Sequence, residues 1–248
     1  AFTVTYYDSF DWRLYLGGRR ILKKKKGRER RLVWASVEDT PRETARFSGE
    51  MPRFAGDFPA GLMRDGLNPL LEMRALLPQV ELRTRVRLLR ILDSEEKTVL
   101  RLAVEEHECR WPGRGEFVAL PGRVRCLPVR GYIKHLARVG QFLVRRLQLQ
   151  PETDNLLQQA LAAIGKRPAD YTSKLNFRFD PEMPTAQAAR QIHLHLLDTV
   201  EANLAGTNAD LDSEFLHDLR VAVRRTRSAL TQIKGVFPPQ RVEEFKER

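Results

Sequence analysis

From Val80 to Leu92 the chain reads VELRTRVRLLRIL, and charge and oil alternate along it. Arg83, Arg85 and Arg87 occupy every second position; Leu82, Thr84, Val86 and Leu88 fall between them. A helix, turning 100° per residue, would scatter both sets, whereas a strand gathers each on its own face. The stretch therefore predicts a strand with one basic and one apolar face. Lys97 to Glu105 alternates in the same way. The four residues Asp93-Ser94-Glu95-Glu96 between the two predict a hairpin turn.

Further strands are expected at Phe2–Tyr7, Arg19–Lys25, Arg31–Ala35, Phe117–Leu120 and Arg123–Leu127. Lys23 to Lys26 followed by Gly27 reads as a hairpin tip. Asp39 to Asn68, rich in Pro, Gly and charge, is expected to be dominated by loops, with a short helix near Pro69–Leu76. Helical spacing recurs at Tyr132–Leu147, Glu152–Ile164 and Ala186–Leu204, the last closed by Gly206. Tyr171–Asp180 reads as an extended linker. The expected organisation is a β domain over residues 1–150, a helix and linker over 151–183, and a helical part over 184–248.

Asp212 to Lys234 predicts one further helix, with Asp212 or Ser213 as its cap and Gly235, Pro238 and Pro239 as its stop. Phe215, Leu219, Ala222, Val223, Thr226, Leu230 and Ile233 form its apolar stripe. His217, Arg220, Arg224, Arg227, Thr231 and Lys234 fall within about a quarter of the circumference on the other side. Stacked guanidiniums repel one another, so such a row is best tolerated facing water or an anion. Each planar fork fits phosphate oxygens two at a time. From His217 to Arg227 the row spans roughly 15 Å, which suits an extended polyanion. The competing reading is a solvated face paired with neighbouring acids.

The 248 residues carry a net charge of +11, which calls for an anionic partner or surface. From Pro184 onward nine basic residues meet nine acidic ones, so the excess lies in the first part of the chain. Cys109 and Cys126 lack metal spacing and read as packing residues, consistent with a reducing cytoplasm. No apolar run approaches the ~20 residues of a membrane span.

His217-Asp218-Leu219-Arg220-Val221, followed by Arg224-Arg225-Thr226-Arg227-Ser228-Ala229-Leu230, resembles the opening signature of the CHAD domain, the conserved-histidine α-helical domain. The resemblance implies an all-helical bundle whose basic faces bind inorganic polyphosphate. It points to His217, Arg220, Arg224, Arg225 and Arg227, with Lys234 added by the stripe. The segment is expected to be only the beginning of such a domain.

Tyr6-Tyr7-Asp8-Ser9, then Leu14 and Arg19-Arg20-Ile21-Leu22-Lys23, resembles the CYTH or triphosphate tunnel family, as does Leu82-Arg83-Thr84-Arg85. That resemblance implies an antiparallel β barrel or tunnel with flanking helices. It makes Arg20, Lys23, Arg83, Arg85 and Arg87 candidate anion-binding residues. The family's Glu-x-Glu-x-Lys strand is not found ahead of Tyr6, and Glu116 is the one acid between residues 116 and 126. Holding a divalent ion for triphosphate hydrolysis needs more carboxylates. The tunnel is therefore expected to hold anions rather than cut them.

The fold class expected is α+β: an antiparallel barrel or tunnel with flanking helices, then the first helices of a CHAD-like bundle. Binding of polyphosphate or a similar polyanion is favoured over enzymatic activity, and no catalytic or metal-ligating residue is assigned. The alternative is a metal-dependent inorganic triphosphatase, in which case Mg²⁺ or Mn²⁺ would be the only cofactor. The second alternative is a nucleic-acid binder, disfavoured because few aromatic residues flank the basic runs. No membrane partner is expected, and the location expected is the cytoplasm, in association with polyphosphate granules. His193 and His195 lie about 200° apart on a helix and read as packing and polar residues rather than a zinc pair.

Overall fold

The computed structural model describes residues 1–36, 41–152 and 155–247. The architecture is α+β. It divides into two compact units whose segments interleave along the chain: 1–8, 14–51 and 77–168 form the first, and 9–13, 52–76 and 169–248 the second.

The first unit is an antiparallel sheet of eight strands with helices against it. Its strands are β1 (Phe2–Asp8), β2 (Arg19–Lys26), β3 (Glu29–Ser36), β4 (Pro41–Arg46), β5 (Leu77–Leu92), β6 (Thr98–Arg110), β7 (Val118–Ala119) and β8 (Arg123–Pro128). Hydrogen-bonded neighbours follow the order β4-β3-β2-β1-β5-β6-β7, and β8 also pairs with β6. The alternation at Val80–Leu92 holds: β5 runs against β6 with Arg83 opposite Glu108 and Thr84 opposite His107. Val80 and Leu82 are buried, while Arg85 and Arg87 are exposed. The strand expected at Phe117–Leu120 shrinks to the two residues of β7.

Asp8 explains why an acid follows the two tyrosines. Its buried carboxylate accepts the N–H groups of Leu14 and Tyr15, each at 2.9 Å, at the short helix α1 (Arg13–Leu16). Two donors that the short helix cannot satisfy internally are thereby satisfied.

The segment expected to be loop departs from that expectation twice. Its first residues, 39–40, lie outside the described ones. Pro41–Arg46 is a strand, and it sits at the sheet's edge, where a proline at the first position costs no ladder bond. The helix expected at Pro69–Leu76 lies earlier, as α2 (Leu62–Leu71). Met63, Leu67 and Leu71, four apart, are its buried stripe, and Pro69 falls in its last turn.

Two more helices belong to the first unit. They are α3 (Ile133–Leu147) and α4 (Leu156–Ala163). The start of the helix expected at Glu152 falls partly on 153–154, outside the described residues. Leu157, Ala160 and Leu161 are buried, and the Cys109 thiol lies 3.6 Å from the Ala160 carbonyl oxygen, so α4 covers that face of β6. Cys109 is thus a packing residue.

In the second unit α5 (Thr185–Asn208) and α6 (Ser213–Gln232) pack together across a connection at 209–212, followed by α7 (Pro239–Glu247). Gly206 does not close α5; it lies inside it. A Cβ built there would come within 2.2 Å of the Phe215 ring, so glycine is what lets α6 approach this closely. The buried line of α5 is Ala189, Leu196, Thr199, Asn203 and Gly206.

Candidate functional site

Three anchors set α6 in place. Asp212 caps it: Oδ1 accepts from the N–H groups of Glu214 at 3.0 Å and Phe215 at 3.2 Å, and Oδ2 accepts from Ala75 N–H at 2.8 Å. Arg74, 2% exposed, donates to Asp218 Oδ2 at 2.7 Å and lies 3.4 Å from Asp212 Oδ1 and 3.3 Å from Asp11 Oδ2. Tyr171 donates its hydroxyl proton to Asp218 Oδ2 at 2.9 Å and accepts from Asn203 Nδ2 at 2.7 Å. Burial works against the Arg74 charge, but Asp11, Asp212 and Asp218 outweigh it and hold the guanidinium above its usual pKa. Burial first, with Asp218 beside it, pushes the Tyr171 hydroxyl up, so it stays a donor.

This cluster rotates the helix relative to the sequence expectation. Phe215, Asp218 and Ala222 are its buried residues, and Val223, expected in the apolar stripe, is exposed. The buried arc is turned by roughly 60° toward Asp218. Asp218, apparently a stray acid in a basic run, is the inward partner of Arg74.

The turn carries the basic row to the centre of the outward face. Arg220, Arg224 and Arg227 are exposed, nearly opposite the Asp218–Ala222 side. They border a shallow depression of about 440 Å³ together with Leu219, Val223 and Ser228. His217 and Lys234 are exposed at the two ends, Lys234 just beyond the last helical turn. Arg225 stands on the other flank and donates to the Ser173 carbonyl at 3.0 Å, so it is not part of the row.

Other arginines of this unit are bound up in the fold. Arg13 pairs with Asp11 at 2.9 Å and Glu72 at 2.7 Å; Arg53 donates to the carbonyls of Asp210 and Leu211; Arg74 is enclosed. Among the described residues no carboxylate pairs with Arg220 or Arg224.

The sheet residues singled out from the sequence separate onto two faces. Lys23 and Arg83 share the face of Thr5 and Thr3, and Arg85 and Arg87 continue it along β5. Arg83 is 3.3 Å from Glu108 and stacks on Phe117 at 3.8 Å. Lys23 lies 5.8 Å from the Tyr7 ring centroid. Arg20 belongs to the opposite face and is buried.

A cavity of about 210 Å³ lies on that opposite face, and none of the five lines it. Its polar lining is Tyr6, Lys24, Thr84, Glu105, His107 and Arg125. His107 is buried, with Nδ1 3.0 Å from Thr84 Oγ1 and Nε2 3.5 Å from Glu105 Oε2. Arg125 donates to Glu105 Oε1 at 2.6 Å. Burial pushes the His107 pKa down, with Glu105 pulling the other way. The pattern Glu105-x-His107 on a strand puts both side chains on one face; that was the signal available to sequence reading. Among the described residues no group of three or more His, Cys, Asp or Glu side chains is placed to hold a metal ion.

Residues 191–248 match the family model of the CHAD domain. The match begins within α5 and takes in α6 with its basic row and α7, so the matched segment contains the outward face just described. No curated protein matches the chain. Among solved structures the chain is similar to the crystal structure of a "putative adenylate cyclase" from Bacillus halodurans, with a TM-score of 0.41 and 14% identity over 63% of this chain and 80% of that one.

Proposed function

We propose that the outward face of α6 binds inorganic polyphosphate or a closely related polyanion, and that the protein is a binding module in which His217 and Lys234 extend the contact made by Arg220, Arg224 and Arg227. The observation that carries this reading is the contrast among arginines. Arg13, Arg53 and Arg74 are consumed by the fold, while Arg220 and Arg224 are held outward, without a carboxylate among the described residues, by the cluster that fixes their helix. Arg225 supports the backbone at Ser173 and contributes charge from the flank. Lys23, Arg85 and Arg87 offer a second basic surface on the sheet. The CHAD match supports the reading through the polyphosphate binding that family resemblance implies. On this reading the protein acts at cytoplasmic polyphosphate deposits.

The test is binding of inorganic polyphosphate, measured by calorimetry across a salt series, for the full chain and for Arg220→Gln/Arg224→Gln/Arg227→Gln. Counterion release predicts that the slope of log K against log salt falls by about 2 when three phosphate contacts are removed. Single-stranded DNA serves as competitor, and polyphosphate should displace it at lower phosphate concentration. Equal slopes for the two proteins would remove α6 from the interface.

A further inference from the structure

The helix α3 carries an apolar strip that none of the described residues covers. Leu136, Val139 and Leu143 are half-buried on the side leaning against β6 and β8. The next strip around the helix is Ile133, Ala137, Gly140, Val144 and Leu147, at alternating steps of four and three. Its large members are open: Ile133 is 65% exposed and Leu147 54%. A Cβ on Gly140 would meet nothing within 4 Å, so the middle of the strip is open too.

Cations border that strip. Lys134, Arg138 and Arg145 stand on the adjoining arc, with Arg146 further round. There is no Asp or Glu from Phe117 to Pro151, against seven Lys and Arg. Such a helix, apolar on one side with basic residues along the margin, is shaped to lie in the plane of an anionic bilayer. The alkyl stems reach along the apolar surface and set their charges at phosphate depth.

The end of the β5–β6 hairpin lies at the same end of the sheet. Leu88, Leu89 and Leu92 are exposed there, Leu88 and Leu89 on opposite faces of β5. Ile91 pairs with Leu100, and Leu100 with Pro128, only a few residues before α3 begins, so hairpin end and helix start share one end of the sheet. Two of the three acids at the turn are engaged locally: Asp93 Oδ1 accepts from the N–H groups of Glu95 and Lys97, and Glu95 pairs with the Lys97 ammonium, while Glu96 is exposed.

We infer that α3 and the adjoining hairpin end form a docking surface for an anionic lipid bilayer, with Ile133, Val144 and Leu147 entering the interface and Lys134, Arg138 and Arg145 meeting lipid phosphates. A second copy of the chain is a poor occupant, because two such helices would set the same cations against one another. A nucleic acid leaves the apolar strip unused. A single acidic helix covers the strip but leaves the hairpin end in water. The helix is amphipathic and lies on a membrane rather than through it, consistent with the described residues containing no helix long and apolar enough to span one.

The test is co-sedimentation of the full chain with vesicles of phosphatidylcholine alone and of phosphatidylcholine mixed with phosphatidylglycerol. Binding is expected for the mixed vesicles only. Lys134→Gln/Arg138→Gln/Arg145→Gln should weaken it on the order of a hundredfold. Because a chain of net charge +11 has other basic surfaces, the deciding variant is Ile133→Ser/Val144→Ser/Leu147→Ser, which keeps every charge. It should lose binding at least about tenfold, since each side chain withdraws apolar area from the interface. Circular dichroism checks that these exposed positions leave the fold intact, and Arg220→Gln/Arg224→Gln/Arg227→Gln should bind vesicles as the parent does. Unchanged binding by the serine variant overturns the inference. So does absence of binding to mixed vesicles, or a dimer in light scattering that the serine variant dissociates.

Discussion

Arg74→Met tests the frame on which the basic row depends. The methionine fills much of the arginine stem's volume but removes the charge that faces Asp11, Asp212 and Asp218. The three acids do not suffer equally. Asp212 keeps three backbone N–H donors, and Asp11 keeps Arg13 at 2.9 Å. Asp218 keeps only the Tyr171 hydroxyl, in a site where its side chain is 9% exposed. Removing one partner of a buried ion pair costs roughly 3–5 kcal/mol, and here the cost should fall almost wholly on Asp218. With a urea m-value of about 2 kcal/mol/M, the midpoint should drop by ~2 M. Asp218→Asn in the Arg74→Met background should restore a large part of that loss, because it removes the stranded charge while keeping an acceptor for Tyr171. The assay is urea unfolding followed by circular dichroism, to whose helical signal α5 and α6, the two longest helices, contribute most. A shift below about 0.5 kcal/mol for Arg74→Met, or no recovery in the double variant, would refute the assignment of Asp218 as the dependent group.

Gly206→Ala should destabilise the helical unit by about 1–3 kcal/mol despite alanine's better helix propensity, because its Cβ meets the Phe215 ring; Phe215→Leu in the same chain should recover part of it. His107 gives the sheet unit a pH dependence. Unfolded, its imidazole takes a proton near pH 6.5, whereas folded its pKa is lower, so the unfolded chain binds more protons and stability falls as pH drops below about 6.5. Thermal melts should show this loss in the parent, and it should vanish in His107→Gln. Asp11 acts at lower pH. Burial raises its pKa, but its bonds to Ser9 and Arg13 and the charge of Arg74 outweigh that and depress it. Its stabilising contribution is therefore complete above its usual value near 3.8 and is lost as pH falls through the depressed one, which acid titration of Asp11→Asn against the parent would reveal.

What the sequence discloses is set by the range over which an element is determined. The strand at Val80–Leu92 and the helix at Asp212–Lys234 are legible because their periods are local. Which way each faces is not local. Arg74 and Asp218 are 144 residues apart, and no pattern within α6 announces that an aspartate in a basic run turns inward. The expected stripe therefore included Val223 and missed Asp218. The same limit applies to the sheet. Alternation placed Arg83, Arg85 and Arg87 together correctly but could not say that the cavity would form on the Thr84 side, where α4 closes over the sheet. The interleaving of the two units is less legible still. Residues 52–76 look like a loop excursion within a run of strands, yet they supply Arg74, and the Ala75 N–H that meets Asp212.

Charge counted by segment misleads for the same reason. Nine basic and nine acidic residues from Pro184 onward suggest a neutral surface. The acids, however, are not distributed like the bases. Asp212 and Asp218 point inward and are answered by Arg74, Glu214 lies 3.8 Å from Arg13, and Glu244 pairs with Arg241 on α7. At a Debye length of about 8 Å, carboxylates already compensated on the far side of a helix do little to cancel an exposed row of guanidiniums. A segment that sums to no net charge thus presents a strongly positive face outward along α6. The potential outside that face is set by which side each charge is on and not by the total, and this is the face that the proposed polyanion would meet.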